Sequence, residues 1–353
     1  MTEIEMACKD TVTKTLDLLK AHPDWDRRYE EYAARILIHL PFIKEACKAV
    51  KSKLKDTFTL HLSTTEAMES LYEVNFDVRY LGQKVMDVIY NNEDGLKMTT
   101  KGLDEANADW FYCTTTLKDC GWDSAESKEF LEHFISGKAG ETPHSKELKI
   151  QGQVIKEMAK TKSTEKHPAL IGVQPVMLGE AMFMMKTAIS ASNSGNIKFG
   201  ESGGFGGGVG GNIDLLMRSG VGASNKLCVV EFKREYENVK GALQQGTAYA
   251  TFLRELLRSK AGPSWWKIFG YTQYIPEPGK LNLLVAIAMP KPKKGKPDTS
   301  FGDDKKIEMQ IEGDTIALHY IYFKVNEEER KVEDFISSLP KVKLNKDAEH
   351  GLD

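Results

Sequence analysis

Asp214, Glu231 and Lys233 are the residues of this 353-residue chain whose types and spacing suit phosphoryl chemistry. Glu231 and Lys233 end the run Leu227-Cys228-Val229-Val230-Glu231-Phe232-Lys233, whose apolar part predicts a central strand buried on both faces. Side chains alternate along a strand, so Glu231 and Lys233 share one face while Phe232 takes the other. Asp214 lies in the stretch Asn212–Arg218, which predicts a second strand. The turn over Ser219–Asn225 is short enough for the two strands to pair and bring Asp214 beside Glu231. Adjacent carboxylates repel, and burying them is costly. A divalent cation resolves both conflicts, because Mg²⁺ takes hard oxygen ligands and keeps waters for a phosphate substrate. A neighbouring ammonium can then position a water or neutralise charge developing on phosphorus.

The elements that must position these residues follow from periodicity. A helix is expected over 238–259, and in it Gln245 and Tyr249 stand four apart, hence on one face. A second helix is expected over 175–192, with Pro175 as its first residue and Met177, Leu178, Ala181, Met182, Met185 and Ile189 as its apolar stripe. Glu180 falls in that helix, on a face expected to meet the sheet. Strands are expected at 197–201, 212–218 and 226–232 between the two helices, then at 281–288, 307–311 and 315–325.

A helix with Glu180, then Ile213-Asp214, Glu231-Phe232-Lys233 and the Q-x-x-x-Y pair Gln245 and Tyr249, resembles the PD-(D/E)XK nuclease superfamily, and the last element resembles its RecB-like exonuclease branch. The resemblance covers about 175–290 and nothing in 1–160. It implies an α/β fold, a restriction-endonuclease-like αβββαβ core with a mixed central sheet, within a domain over 170–330. By position, Asp214 and Glu231 would be metal ligands, with the carbonyl of Phe232 a third. Lys233 would be the catalytic lysine, Glu180 the helix acid that helps to hold metal or water, and Gln245 and Tyr249 the residues that align the site and the nucleic acid. The implied activity is Mg²⁺- or Mn²⁺-dependent hydrolysis of phosphodiester bonds in nucleic acid, with DNA the expected substrate. The alternative is a non-catalytic nucleic-acid- or protein-binding module on the same fold. Ile213, not proline, precedes the aspartate. Only Cys228 lies near this core, so the iron–sulfur cluster of some RecB-like members is not expected.

The glycine run over 200–211 is more conspicuous but less informative. Gly206, Gly208 and Gly211 satisfy G-x-G-x-x-G, yet a strand-like stretch follows where a dinucleotide site needs a helix N-terminus. No G-K-[ST] follows either, which excludes a Walker-type loop. A loop or hairpin is the expectation. Lys291, Lys293, Lys294 and Lys296 form a basic cluster in a second loop and are candidate phosphate contacts. Trp265 and Trp266 suit either a small core or stacking on bases.

Residues 1–160 read as a helix-rich α+β domain. Ile4, Ala7, Cys8, Val12, Leu16 and Leu19 recur at helical spacing, as do Tyr32, Ala33, Ile36 and Leu37. Val74, Phe76, Val78 and Tyr80 alternate with Asn75, Asp77 and Arg79, as in a half-buried strand, and a further helix is expected near 123–136. This domain carries no chemical signature. It is expected to fold separately and to govern targeting, a protein partner or homo-oligomer formation. Residues 159–168 read as a linker and 331–353 as a C-terminal helix or tail. The net charge of -3 offers no global basic field, so nucleic-acid contact must come from local patches. Five scattered cysteines, no secretory pattern and no long apolar run make a cytoplasmic location the expectation, or a nuclear one in a eukaryote, without membrane association.

Overall fold

A computed structural model describes residues 1–70, 72–100, 117–136, 146–160, 167–200, 210–220, 225–235, 238–302, 306–326 and 331–340. Two helices open the chain, α1 (Glu3–Ala21) and α2 (Asp24–Lys51). Next come β1 (Phe58–Ser63), α3 (Glu66–Glu69), β2 (Glu73–Tyr80), β3 (Gln83–Asn91), β4 (Gly95–Thr100), β5 (Cys120–Gly121), α4 (Ala125–Ile135) and α5 (Lys146–Lys160). Five short strands follow: β6 (Val173–Pro175), β7 (Met177–Leu178), β8 (Ala181–Met184), β9 (Ile189–Ala191) and β10 (Ile197–Phe199). The rest comprises β11 (Leu215–Ser219), β12 (Lys226–Phe232), α6 (Val239–Arg258), α7 (Gly262–Ile268), β13 (Asn282–Pro290), β14 (Glu308–Ile311), β15 (Asp314–Asn326) and β16 (Lys331–Ser337). The chain is thus an α/β protein with mixed sheets.

The first sheet has the order β5-β4-β3-β2-β1-β8-β7 and the second β14-β15-β13-β12-β11-β6, with β16 on β15; β9 and β10 pair apart from both. In the second sheet β6, β11 and β12 run antiparallel. Helix α6 then carries the chain back, so that β13 lies parallel to β12, because parallel neighbours need a crossover of this kind. Asn238 caps α6 by accepting from Gly241 N at 3.1 Å. At its other end Arg254 and Arg258 hold the buried Asp314 at the start of β15, at 3.0 and 2.6 Å.

The stretch 175–192 is strand and turn, not helix. Leu178 pairs with Ala181 and Met177 with Met182 across a tight hairpin whose Gly179 has φ +61°, a left-handed backbone that ends any helix there. The apolar stripe arises because Met177, Leu178, Ala181 and Met182 join the first sheet while Met185 and Ile189 are buried beyond it, and short apolar runs read alike in either structure. The expected tail also differs: Lys331–Ser337 is a strand that extends the second sheet, with Val332 and Phe335 buried against it. Residues 341–353, and 161–166 of the expected linker, lie outside the described residues.

Separate folding of 1–160 and 170–330 meets a different arrangement. Strand β8 adds in parallel to β1, so the first sheet takes strands from both segments. α1 lies along α6 and α2 against α7. Trp265 Nε1 donates to Tyr29 O at 3.0 Å, and Phe252 packs edge-on against Trp25 and Tyr29. One hydrophobic core runs through both segments.

Candidate functional site

The antiparallel register Leu215↔Val230 places Asp214 opposite Glu231, at the carboxyl end of β12. Asp214 Oδ2 accepts from the amide of Phe232 at 2.9 Å. In an extended strand the N–H and C=O of one residue point to the same side, so the carbonyl of Phe232 also faces Asp214. Gln151, on α5, fixes the aspartate from behind by donating from Nε2 to its backbone carbonyl at 3.0 Å.

Glu231 is fully buried, and among the described residues neither of its carboxylate oxygens accepts a hydrogen bond. Lys233, itself 7% exposed, brings Nζ to 3.6 Å from Glu231 Oε2, and its backbone N–H is anchored to Ala288 O. Helix α6 comes close enough over this strand that a Cβ on Gly246 would stand 2.6 Å from Val285 and 3.4 Å from Glu231 Cγ. Glycine at 246 is therefore what lets the helix seal Glu231 from water. Burial first, and the charge of Asp214 second, push the Glu231 carboxyl well above the usual range. Asp214 is raised as well, by burial, although Lys233 and the Phe232 amide oppose the shift.

A buried carboxylate pair with unused lone pairs is the donor set that a hard divalent cation takes, so the residues present fit Mg²⁺ or Mn²⁺. Without a cation the arrangement has a consequence for stability. An acid with a raised folded pKa destabilises the fold increasingly as pH rises above its unfolded value of about 4.3 toward the folded one. In EDTA, Glu231→Gln is therefore expected to flatten the loss of stability that this carboxyl imposes on the parent as pH rises above about 5. Thermal midpoints of both proteins across that range check it, and parallel curves would mean that Glu231 is solvated.

The remaining sequence-derived candidates divide. Gln245 is half-buried on the face of α6 that carries Tyr249. Tyr249 is 2% exposed, and its hydroxyl accepts from Ala191 N at 3.4 Å and donates to Ala191 O at 3.3 Å. Burial, then the charge of Glu231, pushes its phenol up to about 12. Tyr249 thus ties β9 to the helix over Glu231 and presents no surface to nucleic acid, contrary to half of the role expected of it. Glu180 is corrected outright, being exposed in the β7–β8 hairpin. Lys291, Lys293, Lys294 and Lys296 follow β13, whose parallel pairing with β12 puts them at the same sheet end as Glu231. Lys293 N donates to Glu235 Oε1 at 2.6 Å, and Lys291 Nζ binds the carbonyl of Asp334. Trp265 and Trp266 are buried, which leaves no ring face for a base. Of the glycine run, 201–209 lie outside the described residues. Gly211 packs against Tyr249 so closely that a Cβ would stand 2.4 Å from its hydroxyl.

Sequence reasoning missed a pocket of about 340 Å³ that has Asp214 and Gln151 in one wall. The opposite wall is the polar face of the first sheet, with His61, Asp77, Arg79 and Lys84. His61 stands across from Asp77, and Asp77 across from Asp87, in one row over β1, β2 and β3. Glu66, Asp77 and Asp87 are close enough to share an ion, but the ammonium of Lys84 already lies 2.5 Å from both aspartates. The helical spacing of Ile150, Val154, Ile155 and Met158 was the available signal for α5, and hence for Gln151.

No protein-family model, curated protein or solved structure matches the chain.

Proposed function

We propose that the protein is a metal-dependent phosphodiesterase that hydrolyses nucleic acid, with DNA the expected substrate. The observation that carries this reading is the buried Glu231, whose oxygens accept no hydrogen bond among the described residues, set opposite Asp214 with Lys233 Nζ 3.6 Å away on its own face. A structural carboxylate would be expected to have hydrogen-bond partners, whereas a metal ligand keeps its lone pairs free. The order of elements supports the same reading. α5, β6, β11, β12, α6 and β13 give αβββαβ, with α5 in the place expected of a helix over 175–192. The excursion from Val176 to Asp214 would then be an insertion into a PD-(D/E)XK-like core.

Asp214 and Glu231 would hold Mg²⁺ or Mn²⁺, with the carbonyl of Phe232 facing the same side. Bound there, the cation supplies Lewis acidity toward a phosphoryl oxygen and lowers the pKa of water. Lys233 holds an ammonium where charge develops on phosphorus or where an attacking water must be oriented, and Gln151 and the Phe232 amide keep Asp214 in place.

Lys233→Ala separates catalysis from mere binding. With metal present it is expected to bind nucleic acid about as well as the parent but to turn over slower by roughly 10²-fold. Neutralising Lys293, Lys294 and Lys296 together is expected to do the reverse, weakening binding, flattening its salt dependence and sparing the saturated rate. Single-turnover rates at saturating protein, with titrations at several salt concentrations, give both quantities. A Lys233→Ala protein that turns over at the parent rate would remove the catalytic role.

A further inference from the structure

The pocket that ends at Asp214 presents three cationic side chains, and they are not equivalent. Lys84 is committed to Asp77 and Asp87, 2.5 Å from each. Arg79 is held less tightly: its Nη2 lies 3.7 Å from Asp77 Oδ2 and 2.9 Å from the sulfur of Met184, a weak acceptor, and its buried Nε has no hydrogen-bond partner among the described residues. A guanidinium carries five N–H donors in a fixed fork suited to phosphate, and here the contact to Asp77 is long and Nε is left over for a further acceptor. Lys186, on the segment that runs from β8 toward β9, has its backbone pinned by Thr64 Oγ1 and by the hydroxyl of Tyr29, while its ammonium has no ion-pair partner among the described residues.

A phosphate approaching Asp214 and Glu231 meets two carboxylates, and a site for phosphodiester hydrolysis needs positive charge on the substrate side as well as on the metal side. We infer that Arg79 and Lys186 form a phosphate-binding subsite in this pocket and hold the backbone of a nucleic-acid strand against Asp214. The inference rests on the nuclease reading for its substrate, but the subsite is defined by its own unused donors. On this view the acids Glu66, Asp77 and Asp87 serve to hold Lys84 and to set the wall from which Arg79 projects. The first sheet is then part of the site, not a targeting appendage.

The test measures binding apart from cleavage. A short fluorescein-labelled single-stranded DNA is titrated in EDTA with the parent, Arg79→Ala, Lys186→Gln and, as a surface control, Lys280→Gln, at several salt concentrations. The first two variants are expected to bind about tenfold more weakly and to lose about 0.7 from the slope of log Kd against log salt, the value for one phosphate contact on a single strand. The control should match the parent. Arg79 contacts Asp77, so thermal midpoints are recorded for every variant; Lys186→Gln removes no ion pair and keeps the test open if Arg79→Ala unfolds. Parent affinity and slope in Lys186→Gln would overturn the subsite. A protein that shows these binding losses but cleaves nothing with Mg²⁺ or Mn²⁺ would retain the phosphate subsite and lose the nuclease reading.

Discussion

Asp214→Asn and Glu231→Gln are each expected to lower metal-dependent cleavage by about 10³-fold or more, the scale of removing a group on which the whole catalytic unit depends. Both changes preserve shape. In Asp214→Asn the side-chain amide oxygen would still accept from the Phe232 N–H that now binds Asp214 Oδ2, so loss of fold would not explain loss of rate. What each removes is half of the anionic donor set, and hard cations bind through anionic oxygens. Calorimetric titration with Mn²⁺ should lose its signal in the same two variants. Retained turnover in both would dismiss the pair as the metal site, whatever their proximity.

A chain that begins at Glu165 is expected to be insoluble or unfolded. Removing the residues before it would uncover Trp265, Phe252, Phe183 and Phe269, which now pack in the core shared with α1 and α2. At about 1.5–3 kcal/mol for each large apolar side chain exposed, the loss is about 6–12 kcal/mol, against a typical domain stability of about 5–15 kcal/mol. β8 would also lose its pairing with β1, leaving β7 and β8 as a bare hairpin. Circular dichroism and soluble yield decide the matter. A well-folded fragment with metal-dependent activity would contradict the shared core.

Much of the site's scaffold could be read from the residues themselves. β12 was expected at 226–232 and spans Lys226–Phe232, and α6 was expected at 238–259 and spans Val239–Arg258. Both have strong local signals: an unbroken apolar run for the strand, a long amphipathic repeat with an asparagine cap for the helix. The opposition of Asp214 and Glu231 followed from alternation and a short connection. The hairpin at Glu180 did not, because a two-residue turn at Gly179 leaves the apolar spacing of its flanks looking helical. The other failure was one of context. Alternation in β2 correctly marks Asn75, Asp77 and Arg79 as one polar face, but a polar face reads as solvent-facing. No local pattern shows that α5 and the segment around Asp214 lie across from that face and turn it into a pocket wall. That residues 79 and 214 line one pocket is set by tertiary packing, where sequence periodicity carries no information.

The most direct measurement incubates the full-length protein with linear DNA, circular DNA and RNA, each with Mg²⁺, with Mn²⁺ or with EDTA. Asp214→Asn serves as the control for contaminating nuclease. Cleavage of DNA with either cation, absent in EDTA and absent in the variant, is the expected result. No cleavage of any substrate by a protein that binds Mn²⁺ at Asp214 and Glu231, or equal cleavage by parent and variant, would contradict it.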